Sequence, residues 1–314
     1  IGEHQDCLDE QIAAAFKPTP ANTLRGVYQQ MLIMALSNPF HLAEGAAFEL
    51  FGALAPVASL GRLLAWDNED ESDGPVVDLC ESQPCLAVDQ KPESPSEHLR
   101  RLELGALLVA LHEPAPLQTA IQRQLLEQVR PHWLGRLQRR HERTDTNGSC
   151  NLVMGLARIH NRLLGHSTEQ SSAQMLDSSA GGTCLLCNGD QGSELSVGQL
   201  LLLLGGNGTS TLAMVRWRHL NAEGLHLGLR YLKGLPRPVW LRRAPGAQTH
   251  PGVLQSTPDT GSVWHHGLWL PAGQFGEGEN LWLQLVSVNS QTVIPLPAAN
   301  LTTAQVSRHP LTLT

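Results

Sequence analysis

No stretch of this chain is apolar for long. Its strongest runs, GALLVAL and LLLLL, fall well short of the roughly 20 residues that a membrane-crossing helix needs. A basic-then-apolar leader with a cleavage site is also missing from the start at Ile1, and the expected location is the cytoplasm. Basic charge is scarce: 22 Lys and Arg stand against 29 Asp and Glu, a net charge of −7. That balance excludes the broad basic surface of a general nucleic-acid or anionic-membrane binder. Six cysteines in 314 residues (Cys7, Cys80, Cys85, Cys150, Cys184, Cys187) are too sparse for the disulfide framework of a small secreted domain. Also lacking are a nucleophile elbow, a P-loop, a dinucleotide fingerprint and a paired metal motif. LGGNGTST has glycines but no phosphate-binding lysine, and it reads as a hairpin. The expectation is therefore a protein with no catalytic residues, no cofactor and no metal.

Aromatics make up only 4% of the chain, and seven of them are tryptophans. Five of those (Trp217, Trp240, Trp264, Trp269, Trp282) lie in the last third, which points to a different architecture there. Upstream, Leu24, Val27, Tyr28, Met31, Leu32 and Ala35 recur at helical spacing, with Thr23 as N-cap and Asn38-Pro39 as the stop. A second helix can run from Ala43 to Pro56, and DNEDESD is a solvated acidic loop. PVVDL and PCLAVDQ can be short extended pieces. Helical spacing returns over Leu99–Leu111 and from Leu117 to about Leu137, broken near Pro131. His41, His98 and His112 are isolated and read as packing or surface residues.

After Thr144 the character changes. CNLVMGLARIHNRLL can be a long strand or a helix. GTCLLC, GQLLLLL, STLAMVRWRHL, GLHLGLRYL and RPVWLRR follow as short apolar or alternating runs between Gly, Asn, Asp and Ser clusters, the pattern of an antiparallel barrel or sandwich. SVWHHGLWLPA, NLWLQLVSVNS and QTVIPLPA alternate in the same way. The expected fold class is α+β multidomain: a mainly α-helical domain over residues 1–130, a β-barrel over 131–243 and a β-rich extension over 244–314.

Two features carry chemistry. RLQRRHER supplies Arg136, Arg139, Arg140 and Arg143, two overlapping R-x-x-x-R readings in an otherwise acidic chain. The second feature, DSSAGG, has the form D-x-S-x-x-G, with Asp177, Ser179 and Gly182 at the key positions. Their order, with AMVRWRHL and LGLRYL following, resembles the PilZ domain family, six-stranded barrels whose better-known members bind cyclic di-GMP. The resemblance covers roughly residues 133–243. It implies a six-stranded antiparallel barrel and a nucleotide site of Arg139, Arg143, Asp177, Ser179 and Gly182, with Arg136 and Arg140 as the alternative register.

Physical chemistry supports those residue types beside the resemblance. The planar arginine fork bonds phosphate oxygens or guanine O6 and N7 in pairs, and it stacks on a purine. Asp177 can accept from guanine N–H groups, the Ser179 hydroxyl can donate or accept, and Gly182 lets backbone approach a base. Arg216 and Arg230 are further arginines of the strand region that can line such a site. The arginine segment also joins the helical domain to the barrel, so its ordering over a ligand would rotate one against the other and inform a protein partner. The opposing readings are solvated arginines at a helix C-terminus and an ordinary Asx or Ser turn. Together those readings give a barrel that has lost the nucleotide and serves as a protein-docking adaptor. A third reading, a zinc or redox protein, rests on Cys184 and Cys187, with His265-His266 as the other half-site; residues three apart on a strand face opposite sides, which disfavours chelation.

Overall fold

The computed structural model describes residues 23–66, 74–80, 96–111, 119–135, 141–188, 195–205, 208–258, 264–286 and 290–312. Two compact units divide the chain, Ile1–Gln138 and Arg139–Thr314. No described helix is long and apolar enough to cross a membrane.

In the first unit, helix α1 (Leu24–Leu36) begins where Thr23 accepts a hydrogen bond from the Gly26 amide at 2.9 Å, and it stops before Asn38, which adopts φ 53° ahead of Pro39. Helix α2 spans Ala46–Leu54. Strands β1 (Arg62–Ala65), β2 (Val76–Asp78) and β3 (Leu99–Glu103) then form an antiparallel sheet in the order β1-β3-β2. Helix α3 (Gly105–Ala110) follows, and α4 (Ala120–Trp133) opens with a reciprocal Thr119–Gln122 capping box. Ile33, Leu50, Leu54, Leu102, Leu107 and Val129 are buried in one core, where the Trp133 indole donates to Ser37 Oγ at 2.9 Å.

The expectation of a mainly helical N-terminal domain is corrected here. Leu99–Glu103, assigned to a helical stretch by its apolar spacing, is a strand, paired with Arg62–Ala65 and Val76–Asp78. Leu99 and Leu102 are buried, but the backbone bonds that hold them run to β1 and β2 rather than along a helix. Of the described residues 45% are in strands and 23% in helices, so the described fold is mostly β, in antiparallel sheets. The acidic loop 67–73 and the second extended piece, 84–90, lie outside the described residues.

The second unit starts with β4 (Thr144–Met154), α5 (Leu156–Leu163), β5 (Ser171–Ser179), β6 (Gly182–Cys187), β7 (Leu200–Leu204), β8 (Ser210–Asn221) and β9 (Gly224–Tyr231). The six strands close into a ring in the order β4-β5-β6-β9-β8-β7, because β4 pairs with both β5 and β7. The segment that reads as strand or helix is both: β4 ends at Met154, Gly155 takes φ 83°, and α5 begins at once. β10 (Leu235–Arg242), β11 (His250–Pro258), β12 (Trp264–Pro271), β13 (Asn280–Leu285), β14 (Ser290–Pro295), β15 (Leu301–Thr302) and β16 (Val306–Leu311) form a seven-stranded antiparallel sheet in the order β14-β13-β10-β11-β12-β16-β15. β10, placed with the barrel by the sequence reading, pairs with β11 and β13 and belongs to this sheet.

The unbroken leucines of β7 have a simple cause. Leu201 and Leu203 fill the ring interior, while Leu200 and Leu202 face a second core shared with Ile159 of α5 and with Val253, Trp269 and Val306 of the sheet. A strand buried on both faces has no position for a polar residue. Ring, helix and sheet are thus continuous through apolar packing within this unit.

Candidate functional site

The D-x-S-x-x-G segment is a two-residue hairpin, Ala180-Gly181, between β5 and β6. Ser179 builds it: its Oγ donates to the Gly182 carbonyl at 3.1 Å and accepts from the Gly181 amide at 3.3 Å. Tyr231, at the end of β9, holds the hairpin from below through its amide to the Gly181 carbonyl (2.9 Å) and its hydroxyl to Ser178 Oγ (3.3 Å).

Asp177 lies at a bulge in β5, where pairing to β6 slips between Met175 and Asp177. Its Oδ1 accepts from the Cys184 amide at 3.0 Å, and its Oδ2 takes Arg143 Nη1 at 2.6 Å. Arg143 immediately precedes β4, and Thr144 and Asp145 pair with Ser178 and Asp177 across the sheet. The two halves of the motif, 34 residues apart, therefore meet as an ion pair with side chains 30% and 20% exposed. The length between them beyond a simple hairpin is taken up by α5 and the loop that follows it. Arg139, and the alternative pair Arg136 and Arg140, lie outside the described residues.

Gly182 departs from the expected role. It sits in β6, paired to Arg230, and a Cβ there would stand 1.9 Å from the Leu229 carbonyl oxygen of β9. Its missing side chain admits the neighbouring strand, not a base, and its φ is not positive. Gly181 is the more open position: a Cβ would meet only the His141 ring, at 2.7 Å.

Cys184 and Cys187 point to opposite sides of β6; Cys187 shares the ring interior with Cys150, and Cys184 does not. Burial pushes the Cys150 and Cys187 thiols up to about 11, and burial together with the Asp177 charge raises Cys184. Among the described residues no group of three or more His, Cys, Asp or Glu is arranged to hold a metal ion.

Arg216 occupies a bulge in β8, exposed at the surface, and Arg230 lies on the adjacent β9. Sequence reasoning missed Thr183 and included Tyr231 only within LGLRYL, without a role. Thr183 Oγ1 donates to the Asp177 carbonyl and fixes the bulge from which the carboxylate projects.

No protein-family model matches this chain, and no curated protein matches its sequence.

Proposed function

We propose that this chain is a cytoplasmic, non-catalytic receptor for cyclic di-GMP that passes the signal to a protein partner, with its second unit acting as a PilZ-like barrel. The observation that carries the reading is the Arg143–Asp177 ion pair, which joins an arginine-rich entry segment to a serine-closed turn on one side of the ring. Arg143 spends Nη1 on a carboxylate, and the rest of its fork is suited to a phosphate oxygen. Asp177 and Ser179 stand two residues apart on β5 and project on one side, where guanine edge donors would be met. Arg143 supports the register in which it works with Arg139. Ligand would draw this segment over the turn, and the segment leads directly into the first unit.

The rival reading, an adaptor without a nucleotide, has its own observation. Leu24, Val27 and Met31 are exposed at helical spacing on α1, as is Phe48 on α2, so the first unit offers an apolar surface suited to a partner. Calorimetry with cyclic di-GMP separates the two. Arg143→Ala and Asp177→Ala should each weaken binding by about 1.5–3 kcal/mol, the scale of a charge-assisted hydrogen bond. If the folded wild-type protein takes up no nucleotide, the adaptor reading stands in its place.

A further inference from the structure

A second cluster of cations extends from the strand beside the serine turn to the seven-stranded sheet. A cleft of about 450 Å³ opens in the second unit between the end of β9 and strands β11, β12 and β16. Arg230, Lys233 and Arg308 line it, and the residues around it include no carboxylate. Among the described residues, none of these three cations has an ion-pair partner.

The cleft is built rather than incidental. Its floor is Trp269, fully buried, whose indole donates to Gln255 Oε1 at 2.9 Å. Gln255 in turn donates to the Lys233 carbonyl at 2.8 Å, and Thr257 donates to the same carbonyl at 2.8 Å. That anchors the Lys233 backbone while leaving its ammonium free of those bonds. Arg308 lies over the Trp269 ring, its guanidinium carbon 5.9 Å from the ring centroid, at the outer limit of about 6 Å for a cation–π attraction. It lies across Gly267, where a Cβ would stand 2.6 Å from its Nε, and its Nη1 donates to Asn300 Oδ1 at 3.3 Å. A glycine and an asparagine thus fix the plane of one arginine. Burial and the positive charge of Arg230 lower Arg308 from its ordinary value, which places the two arginines within electrostatic reach of each other.

Uncompensated like charges brought together around a concave, part-buried site are a cost to the fold, and a polyanion between them removes it. We propose that this cleft is a binding site for a phosphate-bearing small molecule, with its phosphates between Arg230, Lys233 and Arg308. The volume suits a ligand of nucleotide size. The site does not rest on the cyclic di-GMP reading: Arg230 was offered above as a further liner of that site, but Lys233 and Arg308 belong to neither the arginine segment nor the serine turn. Tyr231 lines the cleft and also holds the hairpin carrying Ser178 and Gly181, so occupancy has a direct path to that turn.

The test uses the full chain, with pyrophosphate and ATP as separate probes, followed by calorimetry and by tryptophan fluorescence. Pyrophosphate binding alone identifies phosphate as sufficient; tighter ATP binding identifies an organic phosphate. Both should saturate, and Arg308→Gln and Arg230→Gln should each weaken them about tenfold or more. Arg62→Gln, on β1 of the first unit, should leave both affinities unchanged. Arg230 is exposed, so its variant keeps the test valid if Arg308→Gln melts early. Absence of saturation by either probe overturns the proposal. So does wild-type affinity in folded Arg230→Gln, or an equal loss in Arg62→Gln. Cyclic di-GMP titrated into Arg230→Gln reads the serine turn separately, and its outcome leaves the pyrophosphate result standing.

Discussion

Gly182 has no side chain because a carbonyl already stands where its Cβ would go. Gly182→Val drives that carbon against backbone, which cannot rotate aside, and should cost about 3 kcal/mol or more in denaturant unfolding, as overpacking does. Gly181→Ala meets only an imidazole that can swing away, so its stability should change by less than about 1 kcal/mol. Nucleotide affinity of Gly181→Ala therefore tests approach to the turn without damaging the strand. At Asp177 the carboxylate both pairs with Arg143 and accepts the Cys184 amide. Asp177→Asn retains an acceptor for that amide, and by thermal melting it should lose less stability than Asp177→Ala, which leaves the amide unmatched, by about 1 kcal/mol. The ion pair itself is part-exposed and contributes little beyond this. Asp177 and Ser179 could be singled out in the sequence because their spacing is local, and Arg143, 34 residues upstream, because it lies in the one dense arginine run of an acidic chain. Gly182 was legible as a constraint but not as to its cause, since the obstructing atom is on β9, about 47 residues further along the chain.

At the scale of elements, α5 carries the clearest titration. His160 is fully buried there, its ring edge-on to Trp240 with centroids 4.2 Å apart. Burial holds the imidazole below its ordinary 6.5. The unfolded chain thus takes up the proton first, so this contribution is complete above pH 6.5 or so and is lost as pH falls below it. The slope is about 1.4 kcal/mol per pH unit until the native ring protonates. Denaturant melts between pH 7 and pH 5 should show that loss, and His160→Met should flatten it. The start of α1 was readable because caps are local: Thr23 sits one residue ahead of its helix and bonds back into it; Thr119 does the same for α4, whose start was instead placed at Leu117. The β1-β3-β2 sheet was not readable, because RLLA and LRRLE are four- and five-residue runs whose apolar spacing suits a helix as well as a strand. Long-range pairing decided them. Arg308 was missed for the same reason: SRHPL has no local signature, and its meaning comes from Trp269, Gly267 and Asn300 on other segments.

Each unit of the molecule has its own apolar core, Ile33 to Trp133 in the first and three linked clusters in the second. The second unit expressed alone, Arg139–Thr314, should fold cooperatively, with dispersed amide signals by NMR and cyclic di-GMP affinity within about threefold of the full chain. Hydrogen exchange on the full chain should show nucleotide protecting residues 141–143 together with the β5–β6 hairpin; protection confined to the hairpin would remove the route by which the first unit is informed. The two β assemblies also differ in how they can meet other chains. A closed ring has no free edge, so it offers no template for strand addition. The seven-stranded sheet has two edges, but β15 is a two-residue stub, which leaves the six residues of β14 as the one edge long enough to pair. Linear growth of a fibre needs two compatible edges on every copy. Within the described residues this sheet has one, so edge-to-edge pairing of native second units joins two copies and then stops.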